Sequence, residues 1–383
     1  MLLLIVLTAC GGQRAPQSWA ERLQQTPAPD SLTFRYARLI HVEQQEGCRV
    51  VYIDNPWQPG KGLHTYVLVP YGAALPHALP AGTVVRTPLR RSVVFTSVHC
   101  ALIEQLHATA QVAGVADLKY IKVPFVQEGV KAGSITDCGD GMSPVVETII
   151  DTEADAILLS PFENAGGYGR MENIGIPIIE CAEYMEASPL ARAEWVRFYG
   201  MLFGQEEEAE RLFTEVESHY MELKQQAATA SCRPSVLVDK MAGSVWYVPG
   251  GRSTIGQMLS DANADYPWAD DDHGGSLQLA FETVLERAGQ SDAWLLRYDS
   301  PTPLTLPQLL SEKDGYRMVK ATQSSPLASH LTPPSGVYGC NVTTSLFYEE
   351  TPFRPDLLLQ DFIKILHPDI PNLPPLRYYH RIE

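Results

Sequence analysis

Apolar positions recur at helical spacing over one long stretch, Ser188 to Ala228, and at strand spacing on both sides of it. Ser188 suits an N-cap with Pro189 in the first turn, and Leu190, Trp195, Phe198, Tyr199 and Leu202 follow. Gly204 interrupts the run. A second helix is predicted from Gln205 to Ala228, opening on the acidic Glu206, Glu207 and Glu208. Its apolar face is Ala209, Leu212, Phe213, Val216, Tyr220 and Leu223. At 1.5 Å per residue this helix is roughly 36 Å long, about the diameter of a small domain. That length suits a strut between two bodies.

The flanking segments follow a different rhythm. Thr33 to Val85 is β-rich: FRYARLI alternates apolar and polar side chains, RVVYI and TYVLV follow, and Asn55-Pro56-Trp57 and Pro59-Gly60 mark turns. This predicts an antiparallel extension on the first lobe. From Arg91 strands alternate with helices: SVVFTS, then CALIEQLHAT, then VAGVAD. A helix capped by Ser143-Pro144 runs through Ile150, and the strands ADAILLS and IPIIEC come next. After the long helices the alternation resumes with SVLVDK, SVWYVP, the helix TIGQMLSDA, a helix Phe281 to Arg287 and the strand DAWLLRYD. A short strand Gly336 to Tyr338 and a helix Leu357 to Leu366 complete it. Such alternation predicts mostly parallel sheets.

One word is repeated. Glu147-Thr148-Ile149-Ile150-Asp151 leads to Asp155-Ala156-Ile157-Leu158-Leu159, and Glu282-Thr283-Val284-Leu285-Glu286 leads to Asp292-Ala293-Trp294-Leu295-Leu296. The expected fold class is therefore α/β: two pseudo-symmetric α/β lobes bridged by one long helix, with an N-terminal β-rich extension. The expected boundaries are 1–30 for signal and tether, 31–187 for the first lobe with its extension, 188–230 for the helical linker and 231–383 for the second lobe.

The 383 residues suffice for two cores, and 45% apolar with 19% charged residues is a globular composition. A net charge of −16 and a pI near 5.1 argue against a nucleic-acid partner. Met1 to Ala9 is apolar but too short to span a bilayer. It ends in Leu7-Thr8-Ala9-Cys10-Gly11, which resembles a bacterial lipobox. The expectation is a lipid anchor on Cys10, a polar tether from Gln13 to Asp30, and a periplasm-facing or cell-surface location. The other cysteines, Cys48, Cys100, Cys138, Cys181, Cys232 and Cys340, lack CxxC spacing; disulfides and buried free thiols remain equally open.

Together, the lipobox, RSVVFTS, the Glu147 word, SPLARAEWVRFYG, WYVPGGRS, the Glu282 word and RPDLLLQDFIKILHPDI resemble substrate-binding lipoproteins of ABC importers. The resemblance is to the iron-complex and cobalamin type, with some Bacteroidetes-like features, and covers roughly Arg91 to His367. It implies a receptor that holds a metal chelate between its lobes, performs no chemistry and needs no cofactor. A ferric siderophore or haem is the expected ligand, a corrinoid the alternative. It also implies docking onto arginines of a permease dimer through one glutamate per lobe, which fall on Glu147 and Glu282.

Ligands of open α/β sheets bind beyond the carboxyl ends of parallel strands. This points to His99, Tyr120 and Phe162 in the first lobe, and to Trp246, Tyr247, Arg252, Arg297, Tyr298 and Tyr338 in the second. Aromatic faces suit a planar or catecholate chelate, and arginines suit its acidic oxygens. In WYVPGGRS the glycines permit unusual backbone angles and close approach, and Ser253 can cap the next helix. Trp246 has a second reading as a core residue beside a hairpin turn. His99 reads either as an iron ligand or as a hydrogen-bonded structural histidine. Asp270-Asp271-Asp272-His273 reads as a solvated loop, and no local spacing indicates a bare-metal site. A lipid-anchored hydrolase would need G-x-S-x-G, which Gly251-Arg252-Ser253-Thr254-Ile255-Gly256 misses by one residue. A structural surface lipoprotein is the third alternative.

Overall fold

The computed structural model describes residues 32–163, 167–323 and 335–383. The expected lipid anchor at Cys10 and the whole polar tether from Gln13 to Asp30 lie outside the described residues.

Strands β1 (Ile40–Gln45), β2 (Cys48–Asp54), β3 (Gly62–Pro70) and β4 (Thr83–Thr87) form the extension, in the order β1-β2-β3-β4. The first three are antiparallel, but β4 runs parallel to β3. The chain between Pro70 and Thr83 is long enough for the crossover that a parallel pair requires. The FRYARLI segment is not a strand until Ile40. Its backbone is taken up elsewhere: the N–H groups of Arg35, Tyr36 and Ala37 donate to the Glu194 carboxylate at 2.8, 2.7 and 2.9 Å. Those of Arg38 and Leu39 donate to Glu186. Two carboxylates, Glu186 just before the linker and Glu194 within it, thus replace a β-ladder as acceptors.

The first lobe comprises β5 (Ser92–Val94), α1 (Ser97–Gln105), β6 (Val112–Val115), α2 (Pro124–Ala132), β7 (Thr136–Asp137), the hairpin β8 (Gly139–Asp140) and β9 (Ser143–Pro144), α3 (Val146–Asp151), β10 (Ala156–Leu159) and β11 (Ile178–Glu180). Its sheet, β11-β10-β5-β6-β7, is parallel throughout. Ser143 and Pro144 are spent on the hairpin and do not cap α3, which starts from Val145 without a side-chain cap.

The linker is α4 (Pro189–Glu194), α5 (Val196–Phe203) and α6 (Glu206–Ala228). Ser188 caps α4 by accepting from the Ala191 N–H, with Pro189 in the first turn. Gly204 closes α5 at φ +67°, in the left-handed region, and a Cβ there would lie 2.9 Å from Pro88. The six apolar positions predicted for the long helix are all buried, together with Ala227. At 23 residues α6 spans about 34 Å. Its N-terminal end meets the first body through Arg49–Glu206 and His107–Glu208. Its C-terminal half meets the second through Tyr220–Asp261, Lys224–Asp261 and His219–Asp356.

The second lobe contains β12 (Val236–Val238), β13 (Met241–Ala242), β14 (Val245–Pro249), α7 (Thr254–Asp261), β15 (Ser276–Leu279), α8 (Phe281–Ala288), β16 (Ala293–Tyr298), α9 (Leu306–Glu312), β17 (Gly336–Asn341), α10 (Phe347–Glu350), α11 (Pro355–Leu366) and β18 (Tyr379–Arg381). Strands β12, β16 and β17 are parallel neighbours in that order, and β18 closes the edge antiparallel. The repeated word now has a place: α3–β10 and α8–β16 each deliver the middle strand of a parallel triplet, β5-β10-β11 and β12-β16-β17. The two lobes are pseudo-symmetric, bridged by one long helix.

Candidate functional site

The carboxyl ends of β5 and β16 both open toward a cavity of about 210 Å³ where the first lobe, the linker and the second lobe meet. The first lobe contributes Val98 at the start of α1, and the linker contributes Pro189 and Arg192. From the second lobe come Ile255 and Met258 of α7, Arg297 of β16, and Phe347 and Tyr348 of α10.

The two arginines differ in their partners. Arg297 forms a fork-to-fork pair with Asp239, at 2.9 and 2.5 Å, and lies over the Phe347 ring. Burial alone would lower its pKa, but Asp239 reverses that and keeps it charged. Arg192 has no such partner. Its Nε is fully buried and accepted by nothing among the described residues. Burial lowers its pKa, opposed by the field of Glu183. A buried N–H without an acceptor at the wall of a cavity has the capacity to donate to a ligand oxygen. Sequence reasoning missed Arg192 because it sits inside a helix among apolar neighbours, with no local signal of function.

The predicted residues scatter. Arg297 lines the cavity, and His99 is the neighbour of cavity-lining Val98. Trp246 is corrected to a core residue: it is 0% exposed, its indole N–H donates to the Val238 carbonyl at 3.0 Å, and Phe281, Trp294 and Tyr316 surround its ring. Tyr338 is buried within β17 beside Arg381, which leaves it no face for a ligand. Tyr298 is buried too, with its hydroxyl near His380 Nε2; it lines a separate, more polar cavity of about 410 Å³ with Asn341, Tyr378 and Tyr379. Tyr120, Phe162 and Tyr247 are exposed and line neither cavity. Arg252 is exposed and paired with Asp272 at 2.6 Å, so the acidic loop 270–273 neutralises its own neighbour. His273 is likewise tied to Asp271.

Gly250 and Gly251 serve close approach alone. Neither has positive φ, and a Cβ on either would lie 2.3 Å from a carbonyl of the 269–275 loop. The Ser253 hydroxyl donates to the Gly250 carbonyl and accepts from the Gly256 N–H, which makes it a helix cap and not a nucleophile. All six described cysteines are free thiols, five of them buried.

His99 lies 1% exposed at the heart of the first lobe. Thr96, the N-cap of α1, holds its Nδ1. Its Nε2 faces Glu183 Oε1 at 3.1 Å and the Tyr199 hydroxyl at 2.9 Å, and Tyr199 also donates to Glu183 at 2.8 Å. Burial alone would lower the His99 pKa; Cys181 and Glu183 raise it to about 10. Burial would raise Glu183, but His99 holds it down at about 2.

Glu147 and Glu282 occupy matching places, each exposed in the first turn of the helix that precedes a central strand. Glu147 is bound to the exposed Arg170 at 2.6 Å, which holds its carboxyl below the usual range. Among the described residues no helix is long and apolar enough to cross a membrane.

Two parallel-sheet lobes joined by a stiff helix, with a cationic cavity at their junction, define a bilobed solute receptor. The chain belongs to the periplasmic binding protein family, whose sequence profile matches residues 94–329. It is 27% identical over 296 residues to the uncharacterized lipoprotein MJ0878 of Methanocaldococcus jannaschii, covering 75% of this chain and 67% of that protein. In structure it is similar to the TroA-like periplasmic binding protein FepB of Veillonella parvula, with TM-score 0.57 and 15% identity over 78% of this chain and 96% of that one. It is also similar to a periplasmic haem-binding protein of Pseudomonas aeruginosa, with TM-score 0.55 and 13% identity over 77% and 98%. A third similar structure is the Haemophilus influenzae molybdate periplasmic binding protein MolA, with TM-score 0.56 and 16% identity over 74% and 88%. At these identities the structural likeness establishes the fold.

Proposed function

We propose that this protein is the lipid-anchored receptor of an ABC importer, capturing an anionic metal complex at the junction of its lobes and handing it to the permease. The observation that carries the reading is Arg192, whose buried Nε has no acceptor among the described residues, in the wall of the cavity beside Arg297 and the Phe347 and Tyr348 rings. An iron chelate with carboxylate, catecholate or hydroxamate oxygens, or haem through its propionates, supplies what Arg192 lacks. A corrinoid is the alternative cargo. The size of the cavity favours a second reading. About 210 Å³ is below the range of roughly 300–1,000 Å³ typical of drug-sized ligand sites. A compact oxyanion of the molybdate kind, bound by the similar protein MolA, fits without any opening of the lobes.

Calorimetric titration of the purified chain with ferric hydroxamate, ferric catecholate, haem, cobalamin and molybdate tests both. Submicromolar binding of one of the iron complexes supports the first reading, and of molybdate alone the second. Binding of none removes the receptor role. For the hand-over, Glu147 and Glu282 are the docking residues, and Arg170 on Glu147 stands where a permease arginine would. Glu147→Ala combined with Glu282→Ala is expected to leave cargo affinity unchanged and to lower uptake at least about tenfold, the loss of two charge-assisted contacts. Unchanged uptake in the double variant would refute the docking assignment.

A further inference from the structure

The first lobe contains a second constellation, separate from the cargo cavity. His99 from α1, Cys181 just beyond β11, Glu183 two residues later and Tyr199 from α5 converge from four points of the chain. The donor atoms of His99, Cys181 and Glu183 all lie within 4.8 Å of one another, and all three residues are buried. We propose that His99 Nε2, Cys181 Sγ and Glu183 Oε1, with the Tyr199 phenol oxygen as fourth donor, form a structural Zn²⁺ site closed inside the lobe.

Three features of the geometry carry this. First, ligand-type side chains from separate segments aim at one point. Thr96 holds the Nδ1 side of the imidazole, which aims Nε2 at Glu183 Oε1, 3.1 Å away, and at the Tyr199 phenol oxygen, 2.9 Å away. In the metal-free protein a proton on Nε2 bridges to that carboxylate, and an ion entering the site takes the place of that proton. Second, the spacing is close to that of a tetrahedral zinc set. Zn–S of about 2.3 Å and Zn–N or Zn–O of about 2.0–2.1 Å place tetrahedral donors roughly 3.3–3.6 Å apart. The 3.1 Å pair has to widen slightly and the farthest donor to approach by about 1 Å, a rotation about χ1 of Cys181 or Glu183. Third, the donor chemistry selects the ion. A thiolate with an imidazole suits Zn²⁺ and disfavours Mg²⁺ and Ca²⁺, and thiolate plus carboxylate neutralise its charge. That neutrality is what a fully buried site demands.

The partners around the ligands fit the same role. The Nδ1 contact to Thr96 is the outer-shell bond that metal-ligating histidines make to set their tautomer. Thr96 is also the N-cap of α1, so α1 is tied to the site at its first turn. The ion would join the start of α1, the end of β11 and α5, at the point where the first lobe passes into the linker. Arg192 feels the field of Glu183 from the cavity side, so the site also sets the electrostatic floor beneath the cargo arginine.

The test uses the full chain carrying Cys10→Ser, reduced, stripped with a chelator and titrated with Co²⁺ and Zn²⁺. The expected result is one equivalent of Co²⁺ giving tetrahedral d–d bands with a thiolate-to-cobalt charge-transfer band, displaced by one equivalent of Zn²⁺. The apparent Tm rises in step and saturates at one equivalent. Cys181→Ser should lose the charge-transfer band and His99→Gln the tight stoichiometry, while Cys100→Ser, a buried thiol outside the set, keeps both. If Cys181→Ser fails to fold, zinc protection of a single thiol against alkylation in the parent chain decides the matter. Absence of stoichiometric metal and of any zinc-dependent Tm shift would overturn the site and leave a hydrogen-bonded network. A charge-transfer band that survives Cys181→Ser would overturn it equally.

Discussion

Replacing Arg192 by methionine separates a cargo-binding arginine from a structural one, because the two roles move stability in opposite directions. A charge-assisted hydrogen bond to a ligand oxyanion contributes about 1.5–3 kcal/mol. At 1.4 kcal/mol per decade its loss weakens cargo binding roughly 10- to 150-fold. The cargo-free protein gains nothing from the buried Nε, which has no acceptor among the described residues. Removing a buried donor of that kind relieves about 1–3 kcal/mol of desolvation, set against the lost attraction to Glu183. The apparent Tm of Arg192→Met should therefore stay within about 2 °C of the parent or rise, at roughly 2–4 °C per kcal/mol for a lobe of this size. Arg297→Met is the control. It lines the same cavity but would strand the half-buried Asp239 carboxylate, at a cost of about 2–4 kcal/mol after discounting for its partial exposure. Scanning fluorimetry gives the two Tm shifts and calorimetry the two affinities. A drop of more than about 6 °C for Arg192→Met with unchanged affinity would refute the reasoning, since that is how a structural arginine behaves.

Two further outcomes follow from the polar contacts of the linker. Glu194→Ala leaves the N–H groups of Arg35, Tyr36 and Ala37 without their acceptor, and should cost about 2–4 kcal/mol and expose residues 33–39 to limited proteolysis; unchanged Tm and an unchanged digest would contradict it. The His219–Asp356 pair predicts a pH optimum. The Asp356 hydrogen bond raises the His219 pKa above 6.5, so its contribution is complete below 6.5 and lost as pH rises through the folded value. Burial alone would raise Asp356, but His219 and Arg354 lower it below 3.8, so its contribution is present above 3.8 and lost as pH falls through the folded value. With His219 34% exposed, its share stays under about 1 kcal/mol. Melting curves from pH 4 to 9 should show stability falling above pH 6.5, and His219→Gln should flatten that fall.

Much of the frame was legible because it rests on periodicity. The apolar stripe of α6 needs only spacing to be read, and the repeated Glu147 and Glu282 words mark the central strand of each triplet because the same helix-to-strand unit solves the same packing problem twice. The cleft was legible only as a region. In β14 the side chains alternate, so Trp246 turns inward, Tyr247 outward and Val248 inward. Trp246 and Tyr247 therefore cannot share a ligand, a signal present in the sequence but outweighed by the attraction of two adjacent aromatics. Arg192, and the meeting of His99 with Cys181 and Glu183, depend on how distant segments fold together, and no local pattern carries them. The FRYARLI segment shows the converse failure. Its alternation is that of a strand, but Glu186 and Glu194 supply acceptors that replace the neighbouring strand it would need.

The same carboxylates bear on how the receptor opens. Glu186 and Glu194 clamp the extension to the start of the linker, and Arg35 and Tyr36 reach on to Glu217 in the middle of α6. With Arg49 on Glu206, the extension is fastened along the first half of the strut. The second half is fastened to the other lobe by Asp261 and Asp356. Bending α6 would break backbone hydrogen bonds as well as these contacts, so the softer coordinates are the joints at Trp195 and Gly204, where the three linker helices meet. On the cavity side the lobes touch through α1 against α10 and through Lys122, which donates to the Val342 carbonyl. Opening on this side would break those contacts and the bond from the Gln257 side chain to the Ala187 carbonyl, while the clamps on α6 stay whole. Opening confined to these joints would be a small rotation about the linker that uncovers Arg192 without separating the lobes, and small-angle scattering that shows a large compaction on cargo addition would refute it.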